Sequence, residues 1–379
     1  MNDQMLDPQR QEQAKKYASI RRRLMLLDLV LGTALLLTWL LLGWSEGIRD
    51  WIFNWTQNQW LAVLVYGGIF GGIFSILDFP LSFYTGYILP HKFQLSNQTV
   101  RGWLLDLIKS SALSALFGGI VLEMIYLLLR ISPDIWWLWT GGFLLLLNIL
   151  TTNIAPVLLF PLFYTFTPLK IEFQDLQDRL LKLASKAGIP VIGVYTFDMS
   201  RRTKSANAGL TGLGNTRRVI LGDTLLEKFT TDEIETVLAH EIGHQVNNDI
   251  PLGMVFQTFL TLGGLYLASL GLSWSINYFS FQSTADLAAF PLFALIMGSY
   301  GLITMPLSNS FSRWRELMAD RYALEITGDG KVYADALTRL SNQNLAEVDP
   351  EPWVELLLYS HPALSKRIEM ARAYQSSEK

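Results

Sequence analysis

The sequence of 379 residues contains no cysteine and only four histidines. Without cysteine the chain can form no disulfide, has no thiol nucleophile and offers no thiolate to a metal. Charged residues are scarce as well, at 17% of the chain, and the formal net charge is −3. Beyond one cluster near the N-terminus there is no basic block, so we expect no nucleic-acid partner.

Hydrophobic residues dominate instead, at 50% of the chain. Six apolar runs each provide the about 20 residues that a helix needs to cross a bilayer. Tryptophans that flank the fourth run resemble an interfacial aromatic belt, which buried helices of a soluble protein would not need. The sequence therefore predicts about six membrane-spanning helices, and the prolines inside the long fourth run leave the count open by one. The runs cover residues 24–44, 60–89, 103–129, 136–166, 251–274 and 287–307.

Basic residues indicate how these helices are oriented. Lys15, Lys16 and residues 21–23, which are all arginine, precede the first run. The positive-inside rule then places the N-terminus in the cytoplasm. With an even number of spans, the polar segment 167–250 and the C-terminal tail return to the same side. We expect an integral protein of a bacterial-type inner (cell) membrane, whose basic cluster contacts anionic lipid or fixes the orientation.

The distribution of polar residues predicts three parts. Residues 1–23 form a cytoplasmic leader without a cleavable signal. Residues 24–166 form a membrane domain of about four helices. Residues 167–379 form a peptidase domain that includes the spans 251–274 and 287–307. The expected fold class is therefore a mainly α, polytopic membrane protein with a small α+β domain on the cytoplasmic side.

The polar part of the third region has its own secondary structure pattern. Segments rich in β-branched and aromatic residues at 191–197, 208–213 and 218–221 predict a small sheet, with a hairpin at Gly214-Asn215. Thr230 and Glu233 have the spacing of a capping box, so a helix is expected to begin there.

That helix carries the motif His240-Glu241-Ile242-Gly243-His244. Histidines four residues apart lie on one helix face, where both can bind zinc, and Glu241 lies between them in reach of an activated water. The spacing is typical of zinc hydrolases. The five residues alone also fit an ordinary surface salt bridge on an amphipathic helix. Whether they bind zinc therefore depends on the residues around them.

A catalytic zinc usually has three protein ligands and one open position, so a third ligand is required. Glu316 is the best candidate, and Asp320, four residues later, is placed to accept the spare N–H of a ligating histidine. The alternative is an exposed helix on which Arg313 and Arg315 pair with the two carboxylates.

Two further features offer chemistry near a metal. His361 and Arg367 form a pair that can stabilise the oxyanion produced when water attacks a peptide carbonyl, although Pro362 also suits the start of a helix. Residues 207–211, which begin with Asn207 and Ala208, are small and nearly uncharged. They predict either an exposed strand edge that binds a peptide substrate or a purely structural strand. His91 has no role that the sequence supports.

The chain contains several separated motifs in the order in which they occur in the type I CAAX prenyl protease family of integral-membrane zinc metalloproteases, and it resembles that family. The resemblance implies that His240, His244 and Glu316 bind one zinc ion and that Glu241 is the general base. It also implies that Asn207 contacts the substrate backbone, that His361 and Arg367 stabilise the transition state, and that the helices enclose a water-filled chamber. The motifs that carry it are Phe93 with Asn97-Gln98-Thr99, Pro161-Leu162-Phe163, Phe166-Thr167-Pro168-Leu169, Ser205 with Asn207-Ala208, Arg218-Val219-Ile220-Leu221, Asp223-Thr224-Leu225, the His240 motif, Ser312-Arg313 with Glu316, Ala319-Asp320, and His361-Pro362 with Arg367.

The chain departs from that family in two places. Eukaryotic members have seven spans where six are counted here, and the loop 91–95 lacks the glycine and acidic residues usual there. Both departures concern substrate selection more than chemistry.

The sequence thus predicts a membrane zinc endopeptidase that cleaves a peptide or protein substrate, with or without a lipid, at the cytoplasmic face of the bilayer. One alternative is a general quality-control protease of the heat-shock type, which the four preceding helices and the Phe166-Thr167-Pro168-Leu169 junction disfavour. The other is a non-catalytic scaffold or chaperone that keeps zinc for structure, which has no need of Glu241.

Overall fold

The computed structural model describes residues 5–212, 214–279 and 281–377. These residues form fourteen α-helices and four short β-strands, numbered here in chain order. The helices are α1 (Pro8–Leu41), α2 (Trp44–Trp55), α3 (Gln59–Phe83), α4 (Leu89–Lys92), α5 (Val100–Ile131), α6 (Trp136–Ile154), α7 (Gln174–Lys186), α8 (Asp223–Lys228), α9 (Thr231–Val246), α10 (Asp249–Phe279), α11 (Phe290–Thr327), α12 (Gly330–Asn344), α13 (Pro352–Leu358) and α14 (Leu364–Ser377). The strands are β1 (Phe166–Pro168), β2 (Val194–Phe197), β3 (Ala208–Thr211) and β4 (Arg218–Gly222).

Six helical stretches of the described chain are long and apolar enough to cross a membrane, which confirms the predicted number. Large apolar side chains on these stretches face outward: Val30, Ile76 and Ile303 are 62%, 73% and 77% exposed. Such a surface is stable only in contact with lipid. The stretches are Pro8–Leu41, Gln59–Lys92, Val100–Ile131, Trp136–Leu162, Asp249–Phe279 and Leu287–Thr327.

The helix boundaries differ from those expected at the N-terminal end. α1 begins at Pro8, well before the apolar run, because the Asp7 side chain accepts hydrogen bonds from the first backbone N–H groups and Pro8 suits the first turn. Most of the segment between the first two apolar runs, residues 45–59, is the amphipathic helix α2. The polar leader and this segment are therefore largely helical.

Proline shapes the fourth span, as its sequence suggested. α6 ends at Ile154 and continues as a π-helical turn over Ala155–Leu159 and a 3₁₀ turn over Phe160–Leu162. The regular helix stops there because proline supplies no backbone N–H for its hydrogen bonds. The chain then enters strand β1, which the sequence analysis missed because Phe166 reads as the end of the apolar run.

The four strands form one sheet in the order β1-β2-β4-β3. β3 and β4 are antiparallel, which agrees with the expected hairpin, while β2 and β4 are parallel and β1 pairs antiparallel with β2. Leu213 lies outside the described residues. β3 therefore forms one edge of the sheet, and the sheet packs with α7, α9 and α12 around a core of buried aliphatic side chains that includes Val219, Leu221, Leu238 and Leu337.

His91 lies in α4 and is engaged locally. Its Nδ1–H donates to the Tyr87 carbonyl oxygen at 2.7 Å, and the two rings lie with centroids 4.2 Å apart. This contact stabilises the helical turn and involves no other part of the chain.

Candidate metal centre and active site

Helix α9 begins where the capping residues predict. The Thr230 hydroxyl accepts from the Glu233 backbone N–H at 3.3 Å, and the Glu233 carboxylate accepts from the Thr230 N–H at 2.8 Å. The apolar face of the helix, with Ile234, Leu238 and Ile242 at most 2% exposed, packs into the core. Because the apolar face is fixed, the histidines are held on the face that meets α11.

α9 and α11 cross in very close contact at Gly243. A Cβ atom built on Gly243 would lie 2.9 Å from the Ala319 Cα and 3.0 Å from its carbonyl oxygen. Real Cβ contacts are not that short, so only glycine allows this approach. The contact brings Glu316, one helical turn before Ala319, within reach of the two histidines.

Gly243→Ala should therefore separate the two helices. We expect it to destabilise the protein by about 1–3 kcal/mol, the usual cost of overpacking, and to weaken zinc binding. The free energy of unfolding and competition with a zinc chelator measure the two effects. Gly253→Ala in α10 is the matched control, because nothing lies within 4 Å of its added Cβ. Equal behaviour of the two variants would refute the role assigned to the contact.

The three predicted ligands lie together. The Nε2 atoms of His240 and His244 are 3.2 Å apart, and they lie 3.4 Å and 3.5 Å from the two carboxylate oxygens of Glu316. All three ligand atoms fall within 4.8 Å of one another. Two imidazole nitrogens and one carboxylate oxygen are the donor set of a catalytic zinc site.

A buried oxygen that accepts no hydrogen bond supports this assignment. Glu316 is 7% exposed, and its Oε2 atom accepts no hydrogen bond. A buried carboxylate oxygen that accepts no hydrogen bond is costly, and a cation bound there would satisfy it. The residues present therefore fit a zinc ion, and the alternative of an exposed helix bearing Glu316 and Asp320 is wrong, since Asp320 is fully buried.

Carboxylates orient both histidines by accepting hydrogen bonds from their Nδ1 atoms, on the side of each ring opposite Nε2. Asp320 accepts from His240 Nδ1 at 2.8 Å, and Asp249 accepts from His244 Nδ1 at 2.6 Å. These bonds leave both Nε2 atoms free for the metal, which is how such supporting carboxylates fix the histidine tautomer. Asp320 was predicted in this role from the sequence, whereas Asp249, which stands five residues after His244 at the start of α10, was not.

Each supporting carboxylate is itself held by an arginine. Arg367 donates to Asp320 through Nε at 2.8 Å and Nη2 at 2.6 Å, and Arg315 Nε donates to Asp249 at 2.6 Å. Tyr333 also donates to Asp320, at 2.5 Å. Tyr333 was not predicted from the sequence, and the sequence suggested Arg315 only as a surface charge. Nothing in their local sequence distinguishes them, because α12 and α11 reach the site through tertiary packing.

Glu241 lies on a cavity of about 260 Å³ beside the three ligands. Within the described residues no hydrogen bond or ion pair occupies its carboxylate. Burial raises the pKa of the Glu241 carboxyl, against the opposing effect of His240 and His244. A half-buried carboxylate with a raised pKa is a stronger base than an exposed one.

The predicted transition-state pair also reaches this cavity. His361 Nε2 lies 3.2 Å from Glu316 Oε1, with the side chain 60% exposed, just before α14 begins. Arg367 is 7% exposed, and its Nη1 lies 3.9 Å from Glu316 Oε2. Arg367 therefore interacts mainly with Asp320, while the His361 side chain is accessible from the cavity.

The candidate substrate strand forms the opposite wall of the cavity. Asn207 and Ala208 line it at the start of β3, the edge strand. Asn344, at the end of α12, fixes the residue before them: its side chain accepts from the Ala206 N–H at 2.8 Å and donates to the Ala206 carbonyl at 3.1 Å. The predicted residues His244 and Asp320 contact His240 without lining the cavity. The cavity is lined by the other predicted site residues and, in addition, by Asn344: Asn207, Ala208, His240, Glu241, Glu316, His361 and Arg367.

Comparison with known proteins gives one consistent result. Residues 170–375 match the model of peptidase family M48, and residues 2–165 match that of the CAAX prenyl protease N-terminal region, with five membrane helices. The chain is 33% identical to CAAX prenyl protease 1 of Saccharomyces cerevisiae, over 83% of this chain and 73% of that protein. It is 28% identical to the uncharacterized metalloprotease YhfN of Bacillus subtilis, over 96% and 86% of the two chains. The crystal structure of Ste24p from S. mikatae superposes with a TM-score of 0.86 at 26% identity, covering 97% and 90%.

Proposed function

The chain belongs to peptidase family M48 and is an integral-membrane metalloprotease of the CAAX prenyl protease type, and from this premise we propose a zinc-dependent mechanism for it. In the proposed mechanism His240, His244 and Glu316 hold one zinc ion, and Glu241 is the general base. The Glu316 oxygen that accepts no hydrogen bond and lies beside the two Nε2 atoms is the observation that carries the proposal.

Zinc bound here would supply Lewis acidity, which polarises a peptide carbonyl and lowers the pKa of water. Glu241 takes the proton from the attacking water and delivers it to the leaving amine. Its position on the cavity and its freedom from other hydrogen bonds support this role. Asp320 and Asp249 keep the histidine Nε2 atoms directed at the metal while the proton moves.

The substrate is bound as an extended strand along β3. The edge position of β3 leaves one row of backbone groups open, and Asn207 and Ala208 lie where a peptide would enter the cavity. His361 donates to the oxyanion that develops on the scissile carbonyl, and Arg367 adds positive charge from the buried side.

We place the active site at the cytoplasmic face of a cell membrane. The support is the cluster of basic residues before the first span, together with six helices long enough to cross the bilayer. α9 is followed at once by the apolar helix α10, so the metal site lies close to the bilayer surface. Substrates are peptides or proteins that reach this surface, with or without a lipid.

Removing the metal should abolish the activity reversibly. We expect a chelator to stop cleavage of a reporter peptide and to lower the unfolding midpoint, because a ligand that binds only the folded state stabilises it. Restoring zinc should recover both. The same chelator saturated with zinc beforehand is the control. Full cleavage after verified metal removal would contradict a zinc mechanism.

The substrate range is tested by competition between three substrates. A prenylated C-terminal peptide, the same peptide without the prenyl group, and a misfolded membrane protein are offered to the purified enzyme. Preferred cleavage of either peptide supports a CAAX prenyl protease-like role, and preferred cleavage of the misfolded protein supports quality control.

A further inference from the structure

Arg313 makes contacts that the sequence did not suggest. It lies on α11, three residues before Glu316. Its Nη1 donates to the Glu355 carbonyl at 2.8 Å and to the Tyr359 carbonyl at 2.6 Å, at the C-terminal end of α13. The last carbonyl groups of a helix have no partner within that helix, and a cationic side chain can bind them. Arg313 therefore joins the end of α13 to α11.

A second side chain of α11 makes the same kind of contact. Asn309 Nδ2 donates to the Leu357 carbonyl at 2.7 Å. Arg313 Nη2 donates to Ser310 Oγ at 2.7 Å, which fixes the guanidinium against its own helix. The C-terminal end of α13 is therefore attached to α11 at successive carbonyl groups.

The chain is fixed again just after His361. The buried Glu355 carboxylate accepts from the Ala363 backbone N–H at 3.0 Å and from Lys366 Nζ at 2.6 Å. The Tyr359 carbonyl is bound by Arg313, and the Ala363 N–H is bound by Glu355. The turn that carries His361 thus has both of its ends fixed.

The side chain of Tyr359 is also bound. Its hydroxyl donates to the Glu347 carboxylate at 2.9 Å. Glu347 belongs to the segment 342–348, which is attached to α1, because Arg10 Nε donates to the Asn342 carbonyl at 3.0 Å. The start of the His361 turn is therefore bound from two sides, by α11 and by the segment that α1 holds.

His361 needs such support because its own side chain is 60% exposed. Exposed side chains change rotamer within picoseconds to nanoseconds, so packing does not fix this one and its position depends on the backbone. Its Nε2 nevertheless lies 3.2 Å from Glu316 Oε1. Arg313 and Glu316 lie one helical turn apart on α11. The helix that provides Glu316 therefore also holds the turn that provides His361.

We propose that Arg313 is a positioning residue, which holds the end of α13 on α11 so that His361 reaches the oxyanion. This inference rests on the proposed function, in which His361 donates to that oxyanion. Arg313 acts through His361 and does not touch the substrate. Displacing a catalytic group by about 1 Å can cost about 10²-fold in rate, so a contact at this distance from the chemistry affects turnover.

The test is a double-mutant cycle on the full-length, zinc-loaded protein with one reporter peptide. We expect His361→Ala to lower kcat by about 10²- to 10³-fold, the range for one oxyanion donor. Arg313→Ala should lower kcat by about 10- to 100-fold with KM unchanged, because only the transition state loses an interaction. In the His361→Ala background the same change should lower kcat no further, since the group that Arg313 positions is gone. Arg313→Lys should recover part of kcat.

Two further measurements separate positioning from a purely structural role. The unfolding midpoint should fall equally when Arg313→Ala is made with and without His361. A phosphinic peptide, whose tetrahedral phosphinate resembles the intermediate, should bind Arg313→Ala more weakly by about the factor that kcat/KM loses. Arg321→Ala is the matched control, because Arg321 is exposed on the same helix, and it should leave all three quantities unchanged.

Two results would overturn the inference while the proposed function stands. The first is a wild-type kcat in Arg313→Ala. The second is an equal loss of kcat from Arg313→Ala with and without His361, which would mean that Arg313 acts by another route. If His361→Ala keeps the wild-type kcat, the oxyanion assignment in the proposed function fails, and this inference fails with it. If Arg313→Ala does not fold, the cycle is run with Arg313→Lys, and the same outcomes decide.

Discussion

Glu241→Gln should lower kcat for peptide cleavage by about 10²- to 10⁴-fold, the range that a positioned general base contributes. Glutamine has nearly the same shape as glutamate, but it cannot accept the proton from water. It leaves His240, His244 and Glu316 in place. We therefore expect the variant to bind zinc with unchanged stoichiometry and to unfold at an unchanged midpoint.

Elemental analysis and a cleavage assay on the same preparation separate these effects. Glu235→Gln is the matched control on α9, because Glu235 pairs with the half-exposed Arg179 on the protein surface. Losing such a surface pair costs about 1 kcal/mol or less and should leave kcat unchanged. Wild-type turnover by Glu241→Gln would refute the assignment of the base.

Asp320→Asn should have the largest effect on stability. Asp320 is fully buried and joins His240, Tyr333 and Arg367, so its loss of charge removes the closest counter-charge of the buried Arg367 guanidinium. Breaking one side of a buried ion pair typically costs about 3–5 kcal/mol. Metal affinity should fall as well, by about 10- to 100-fold, since His240 loses the carboxylate that orients it.

Chemical denaturation and zinc competition measure these two losses. Glu325→Gln is the control, because Glu325 is an exposed carboxylate on the same helix. The double variant Asp320→Asn with Arg367→Met should be more stable than the sum of the single changes predicts, because it removes the unpaired charge. Additive losses would show that the ion pair does not dominate the stability of this site.

The elements that were predicted correctly carry strong local signals. The long apolar runs, the capping box at Thr230 and the four-residue spacing of the histidines each depend on residues close together in the chain. Glu316 and Asp320 were predicted because a catalytic zinc site needs a third ligand and an orienting carboxylate, and both side chains lie beside the histidines. The hairpin of β3 and β4 was found for the same local reason.

The site residues that could not be predicted are positioned by contacts between segments that are distant in sequence. Asp249 and Arg315 are ordinary charged residues until α10 and α11 bring them to His244. Tyr333 reads as a core aromatic residue, and only the packing of α12 on α9 directs its hydroxyl at Asp320. Asn344 has no motif at all, because its function is a pair of hydrogen bonds to the Ala206 backbone.

The attachment of α1 to the segment 342–348 has a consequence for biosynthesis. Arg10 and Asn342 lie 332 residues apart, so at about 5–20 residues per second the second partner leaves the ribosome roughly 20–60 seconds after the first. Arg367 follows its partner Asp320 by 47 residues. The nascent protease therefore enters the membrane with the ion pair of Asp320 and Arg367 unformed and with α1 not yet bonded to α12, and it gains proteolytic competence only after most of its helices are already inserted.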